Sequence, residues 1–199
     1  LNPFLAAELQ RGLVLASASP RRREILERLG FEFEVFPTGI EEDAGQQGDD
    51  EAFAVLLAEQ KAAEARRARP GTTVLAADTI VVCGGAKLGK PSDAAEATRM
   101  LGRLSGRVHE VITGVALLGA HGGRVTGAER TKVFVRPLSD GDIATYIATG
   151  EPFGKAGAYA IQGYAAPFIE KIEGCYFNVV GLPVSRLFRM FAELERTPV

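Results

Sequence analysis

Three consecutive arginines, Arg21, Arg22 and Arg23, follow Ser17-Ala18-Ser19-Pro20 where an apolar run gives way to helical spacing. A helix start presents unpaired backbone N–H groups and the positive end of the helix dipole. Serine hydroxyls and guanidiniums beside it add donors, so such a turn can cradle phosphate oxygens. The same residues also suit a capped surface helix with solvated arginines. Asp78 stands at the end of the apolar run Val74–Ala77, ahead of Thr79 and Ile80–Val82. Ligands of α/β sheets bind beyond strand ends, and a carboxylate there must pair, bind a cation or bear a desolvation cost. A turn aspartate bonded to nearby backbone is the plainer reading. Glu41 and Glu42 are adjacent acids, either hard oxygen ligands for Mg²⁺ or Mn²⁺ or a solvated acidic loop. Lys61, Lys90 and Lys155 are isolated cations, and Gly89 and Pro91 fix the backbone around Lys90. The stretch KAGAYAIQG (155–163) sets Gln162 between Ile161 and Gly163, and an amide there can read a base edge with paired donor and acceptor.

The elements that must position these groups follow from hydrophobic periodicity. Leu13–Ala16 is a short apolar strand. Ser19 suits a helix N-cap, Pro20 the first helical position and Gly30 the stop, with Ile25, Leu26 and Leu29 at helical spacing between them. Phe31, Phe33 and Val35 alternate with Glu32 and Glu34, the period of a half-buried strand. An Ala-rich helix spans 51–69 and ends at Pro70-Gly71. The strand from Val74 runs through Asp78 to Val82 and turns at Gly84-Gly85. Ser92 caps a helix to about Leu104. Strands near 109–119 and 124–136 follow, then a helix opened by Ser139 and Asp142 and stopped at Gly150. A glycine-punctuated loop, 150–163, leads to a final strand pair and a helix from Pro183 to Arg196. Strands and helices alternate early and pair as hairpins late, which predicts an α/β fold with a mixed sheet.

The chain has 199 residues, 46% hydrophobic and 24% charged, with a net charge of −2. That length holds one domain with a real core; residues 1–11 read as an extension ahead of the first strand. Near-neutral charge, with no interleaving of aromatic and basic residues, argues against a nucleic-acid partner. No apolar run approaches the roughly 20 residues of a membrane span. Cys83 and Cys175 are far apart and read as small buried thiols in a reducing compartment. With no secretory signal pattern, the expected location is the cytoplasm.

Taken together, the segments LASASPRRREIL (15–26), GIEE (39–42), QKA (60–62), AADTIVV (76–82), LGKP (88–91), LSGRVHEVITGV (104–115), EPFGKAGAYAIQG (151–163) and VVGLP (179–183) resemble the Maf family of nucleotide pyrophosphatases. The resemblance runs in order from Leu15 to about Leu187. It implies a mixed, strongly twisted sheet flanked by helices, with two lobes around a central cleft. It implies metal-dependent hydrolysis of a nucleoside triphosphate between the α and β phosphates, with Mg²⁺ or Mn²⁺ as cofactor. By position, Asp78 matches the proton acceptor and a metal ligand, and Glu42 a second metal ligand. Ser17, Arg22, Lys61 and Lys90 match the phosphate-binding set. Arg21, Thr79 and Gln162 match the branch acting on dTTP and UTP, where the branch favouring 7-methyl-GTP has an aromatic, a glutamine and a glutamate. Gly154 replaces the usual acid before Lys155, which puts the positioning of Lys155 in question, and Ala160 stands where glycine is usual.

Two other classes compete with this reading. One is a purine-type pyrophosphatase acting on inosine, xanthosine or 7-methyl-guanosine triphosphate, against which Thr79 and Gln162 weigh. The other is a nucleotide-binding regulator of septum formation, which could dispense with the Asp78, Glu42 and Lys90 set that this chain retains. Apolar strands in the late hairpins are suited to homodimer formation, as members of the family form.

Overall fold

The computed structural model describes residues 2–40 and 48–196. Among these, the chain order is α1 (Ala7–Gln10), β1 (Leu13–Leu15), α2 (Pro20–Arg28), β2 (Phe33–Val35), α3 (Asp50–Ala68), β3 (Thr73–Cys83), β4 (Ala86–Leu88), α4 (Ala94–Leu104), β5 (Val108–Leu118), β6 (Arg124–Val135), α5 (Asp140–Ala148), β7 (Ile169–Glu173), α6 (Tyr176–Val180) and α7 (Val184–Arg196). The described strands form one sheet in the order β2-β1-β3-β5-β6-β7, with β4 on β3. β1 runs parallel to both β2 and β3, Leu13 opposite Phe33 and Thr73. β4 lies antiparallel on β3, and β7 antiparallel on β6. The expected α/β class with a mixed sheet is therefore what the chain adopts.

The chain divides into two compact units. Unit 1 comprises Leu1–Asp78, Thr113–Glu129 and Gly181–Val199, and unit 2 comprises Thr79–Ile112 and Arg130–Val180.

In unit 1, Asp49 caps α3 by accepting from the backbone N–H of Glu51 at 2.9 Å. The helix turns an alanine stripe inward: Ala58, Ala62 and Ala65 pack on Val14, Ala16, Val74, Ala76 and Ala116. Small side chains let the helix approach the strands closely. At Gly114 of β5, an added Cβ would lie 2.2 Å from the carbonyl carbon and oxygen of Ala54, so no side chain fits. In the same unit, Phe31 stacks on Phe191 and meets Phe188 edge-on. Asn2 is docked on the fold rather than trailing. The Asn2 backbone N–H donates to Gln10 Oε1, the Gln10 amide donates back to the Asn2 carbonyl, and Asn2 Nδ2 donates to the Leu29 carbonyl at the end of α2.

In unit 2, α4 buries Ala97, Met100, Leu101 and Leu104, and α5 buries Ile143 and Tyr146. The expected box at Ser139 and Asp142 forms, each side chain accepting from the other's backbone N–H. Two local expectations are corrected. The cap of α4 is Asp93, which accepts from the Glu96 N–H at 2.7 Å, while Ser92 binds the Glu96 carboxylate instead. The final strand pair is a single strand, β7, followed by the helical turn α6. The apolar run there reads as a strand, but a helical turn buries Asn178. Its amide then donates to the Val111 carbonyl and to Thr131 Oγ1, both at 2.9 Å. Cys83 is buried as expected, whereas Cys175 is only partly so, and neither is in a disulfide. No helix among the described residues is long and apolar enough to cross a membrane.

Candidate active site

β1 is wholly buried and ends at Leu15, opposite Leu75 of β3. One further bond, from the Ala16 N–H to the Leu75 carbonyl at 2.8 Å, carries the chain into the turn. Ser17 then becomes a local hub. Its Oγ accepts from the Ser19 N–H at 3.2 Å and from Arg22 Nη1 at 3.0 Å. Ser19 occupies the cap position of α2 without a side-chain cap bond, and Pro20 opens the helix. Arg22 Nε also donates to the Gly181 carbonyl at 2.8 Å, so its planar fork is held from two sides in a buried setting. The three arginines thus separate: Arg22 is buried, Arg21 half-buried, and Arg23 exposed beside Glu27 along the helix.

Asp78 is the sixth residue of β3, an unbroken strand rather than a strand end. Its neighbour β1 has already stopped at the level of Leu75. Asp78 and the serine–arginine turn therefore lie at the same end of one parallel strand pair, the carboxyl end of β1, where α/β sheets bind ligands. Lys61 reaches this point from the buried stripe of α3, and its Nζ donates to Asp78 Oδ1. Both are deeply buried, Lys61 6% and Asp78 2% exposed. Such a lysine on the inner face of a helix is stable only with an anion to compensate it.

Unit 2 carries the remaining candidates. Thr79 is half-buried on β3, and Lys90 is exposed. The carbonyl of Gly89, next to Lys90, accepts from the Gly157 N–H at 3.0 Å, which ties that segment to the loop bearing Lys155 and Gln162. Gly157, at φ +70°, lies against Val81, where even a methyl group would crowd the valine. Ala158 follows at φ +60°, a left-handed conformation that costs a non-glycine residue about 1–2 kcal/mol. Lys155 Nζ donates to the Glu151 carbonyl at 2.6 Å, which answers the question raised by Gly154: the lysine is anchored without an acid before it. Gln162 is exposed between buried Ile161 and half-buried Gly163, its amide available. Ala160 is buried at an ordinary backbone angle, so the departure from glycine there is unstrained. Glu41 and Glu42 lie outside the described residues.

Three residues of this loop's support escaped sequence reasoning: Tyr146, Glu151 and His109. Their partners are 5 to 50 residues distant, and no local spacing signals them. His109 is 1% exposed, and its Nε2 meets the Tyr159 hydroxyl at 2.8 Å. Burial holds its pKa down to about 4. An unfolded histidine titrates near 6.5, so below that pH the unfolded chain binds a proton that the folded chain refuses until about 4. This contribution to stability is complete above about pH 6.5 and is lost as pH falls toward 4. His109→Gln removes the titration, so the stability gap between wild type and variant is expected to change by about 3 kcal/mol from pH 7.5 to pH 4, in the variant's favour. Urea unfolding of both proteins across that range checks it.

The sheet and its helices define a protein of the Ham1 type in fold. The Ham1 protein of Staphylococcus aureus superimposes with a TM-score of 0.53, covering 94% of this chain and 100% of that one at 14% identity. Sequence narrows the class further. The chain belongs to the Maf family: residues 12–194 match the Maf-like protein family. It is 53% identical over 173 residues to the dTTP/UTP pyrophosphatase of Citrifermentans bemidjiense, covering 86% of this chain and 90% of that protein. It is 49% identical over 178 residues to the dTTP/UTP pyrophosphatase of Geotalea uraniireducens, covering 89% and 92%.

Proposed function

We propose that this chain hydrolyses dTTP and UTP, adding water at the α-phosphorus to yield the nucleoside monophosphate and pyrophosphate. The observation that carries this is the buried Lys61–Asp78 pair at the end of the strand pair that also bears the Ser17–Arg22 turn. Asp78 accepts the proton of the attacking water as the bond between the α-phosphorus and the bridging oxygen breaks. The electron pair leaves with pyrophosphate. Charge on the departing oxygens meets Arg22 and the start of α2, with Ser17, Lys61 and Lys90 completing the phosphate contacts. Because Arg22 is already fixed by Ser17 and Gly181, it needs no reorganisation as charge develops, the usual basis of large electrostatic catalysis.

The donor chemistry suits a hard cation. Asp78 offers carboxylate oxygens, the hard donors that Mg²⁺ or Mn²⁺ takes in ones and twos, with water and substrate phosphates filling the shell. Asp78 and Glu42 would hold it, and when bound it neutralises phosphate charge and makes water more acidic. Arg21, Thr79 and Gln162 select the base. The Gln162 amide offers both donor and acceptor to a thymine or uracil edge that presents both. Residues 1–199 act as one catalytic domain in the cytoplasm, on free nucleotide rather than nucleic acid.

Pyrophosphate release from dTTP, UTP, dCTP, ITP, XTP and 7-methyl-GTP, with and without Mg²⁺, tests this directly. The expected result is fastest release from dTTP and UTP, abolished by EDTA and restored by Mg²⁺ or Mn²⁺. A purine triphosphate as best substrate, or release indifferent to metal, contradicts it. Gln162→Glu is expected to shift preference away from dTTP and UTP; unchanged selectivity removes Gln162 from base recognition.

A further inference from the structure

We infer that Glu151 is a positioning residue for base selection: its carboxylate, held by Tyr146, clamps the backbone on either side of Gln162 and sets where that amide is presented. The clamp rests on Gln162 being the side chain that reads the base. Glu151 Oε1 accepts from the Tyr164 N–H at 3.1 Å. Its Oε2 accepts from the Tyr146 hydroxyl at 2.8 Å and from the Ala165 N–H at 3.4 Å. The Tyr146 oxygen in turn accepts from the Ala160 N–H at 3.2 Å. One phenol–carboxylate pair therefore grips residues 160, 164 and 165, bracketing Ile161-Gln162-Gly163. A turn bond from the Gly163 N–H to the Ala160 carbonyl, at 3.0 Å, closes the bracket. Tyr146 is 2% exposed and packs edge-on against Phe168, so the phenol is itself immobile.

Gly163 shows how closely the loop is sealed on the carboxylate. A Cβ there would lie 1.9 Å from Glu151 Oε1 and 2.6 Å from Oε2. Its φ is outside the left-handed region, so glycine is required by space rather than by backbone angle. Glu151 also holds Lys155 through its carbonyl, so one residue fixes the loop at both its entry and its tip. Ordinary loop packing does not require a buried tyrosine and a carboxylate to spend their bonding capacity on three backbone N–H groups around one exposed amide. A site that discriminates by hydrogen bonds needs that amide fixed, since a donor or acceptor that swings freely rejects little.

The test is the ratio of kcat/KM for dTTP over dCTP, bases that differ at the edge an amide reads, in Glu151→Ala, Gln162→Ala and the double variant. Glu151→Ala is expected to lower the ratio at least tenfold, mainly by raising KM for dTTP, with kcat for dTTP within a few-fold of wild type. Glu151→Gln, which keeps the size and one acceptor oxygen, is expected to fall between wild type and Glu151→Ala. In the Gln162→Ala background, Glu151→Ala should leave the ratio where it is. If Gln162→Ala lowers the ratio and Glu151→Ala does not, or if Glu151→Ala lowers it equally in both backgrounds, the clamp is overturned and base reading by Gln162 stands. If Gln162→Ala itself leaves the ratio unchanged, base reading by Gln162 fails, and the clamp with it. Should Glu151→Ala fail to fold, Glu151→Gln and Tyr146→Phe decide by the same ratio.

Discussion

Asp78→Asn is expected to lower dTTP turnover by about 10²- to 10⁴-fold, the range a positioned general base contributes, while nucleotide still binds. An amide keeps the shape and an acceptor oxygen in the middle of β3 but cannot take a proton from water. Initial rates give the first quantity, and the rise in melting temperature on adding dTTP gives the second. The structure adds a consequence that residue type alone does not announce. Asp78 is one half of a buried ion pair, so neutralising it leaves the Lys61 ammonium less well compensated, and the variant is expected to be less stable than wild type. The loss of rate must therefore be measured at a temperature where both proteins are folded.

Lys61→Met carries the second large effect. The substitution matches the volume of the side chain within the inner stripe of α3 but removes the ammonium that compensates a carboxylate only 2% exposed. Breaking one partner of such a pair typically costs about 3–5 kcal/mol, whereas replacing both is often close to neutral. Lys61→Met is therefore expected to lose about 3–5 kcal/mol in urea unfolding and nearly all activity. The double variant Lys61→Met with Asp78→Asn should recover most of that stability and none of the activity. Recovery of stability without activity separates the structural cost of the pair from its chemistry. A loss in the double variant equal to the sum of the two single-variant losses would mean that the two side chains do not depend on one another.

What could be read from the sequence was local. Ser19, Pro20 and Gly30 bracket α2 because cap, first-turn and stop positions have distinct backbone demands. The run from Val74 to Val82 could be followed through Asp78 because strand patterning continues on both sides of it. The Ser139 and Asp142 box lies within four residues and was equally visible. Most of the failures share a cause, which is that distant contacts decide them; the cap of α4 is instead a choice between neighbours. Tyr176–Val180 has the composition of a strand, yet the amide of Asn178 finds its acceptors on β5 and β6 only from a helical turn. At α4, Ser92 and Asp93 are both good caps, and the choice falls to the one whose side chain reaches the Glu96 N–H. Lys61 looks like any lysine on a charged helix until its partner 17 residues away is known. Glu151 is part of a recognisable motif, but its bonds to Tyr164 and Ala165 span a loop whose path no periodicity describes. Gly114 is the same lesson in steric form, since its need for hydrogen in place of a side chain comes from Ala54, 60 residues earlier.

Hydrolysis of dTTP by the wild-type protein with Mg²⁺ in ¹⁸O-labelled water, with products weighed by mass spectrometry, tests the central chemistry most directly. One ¹⁸O atom in dTMP and none in pyrophosphate is the expected outcome, with both products formed about 10²- to 10⁴-fold more slowly when Asp78→Asn replaces wild type. Label in pyrophosphate, or formation of dTDP and inorganic phosphate, would contradict attack at the α-phosphorus, and with it the roles of Asp78 and the serine–arginine turn.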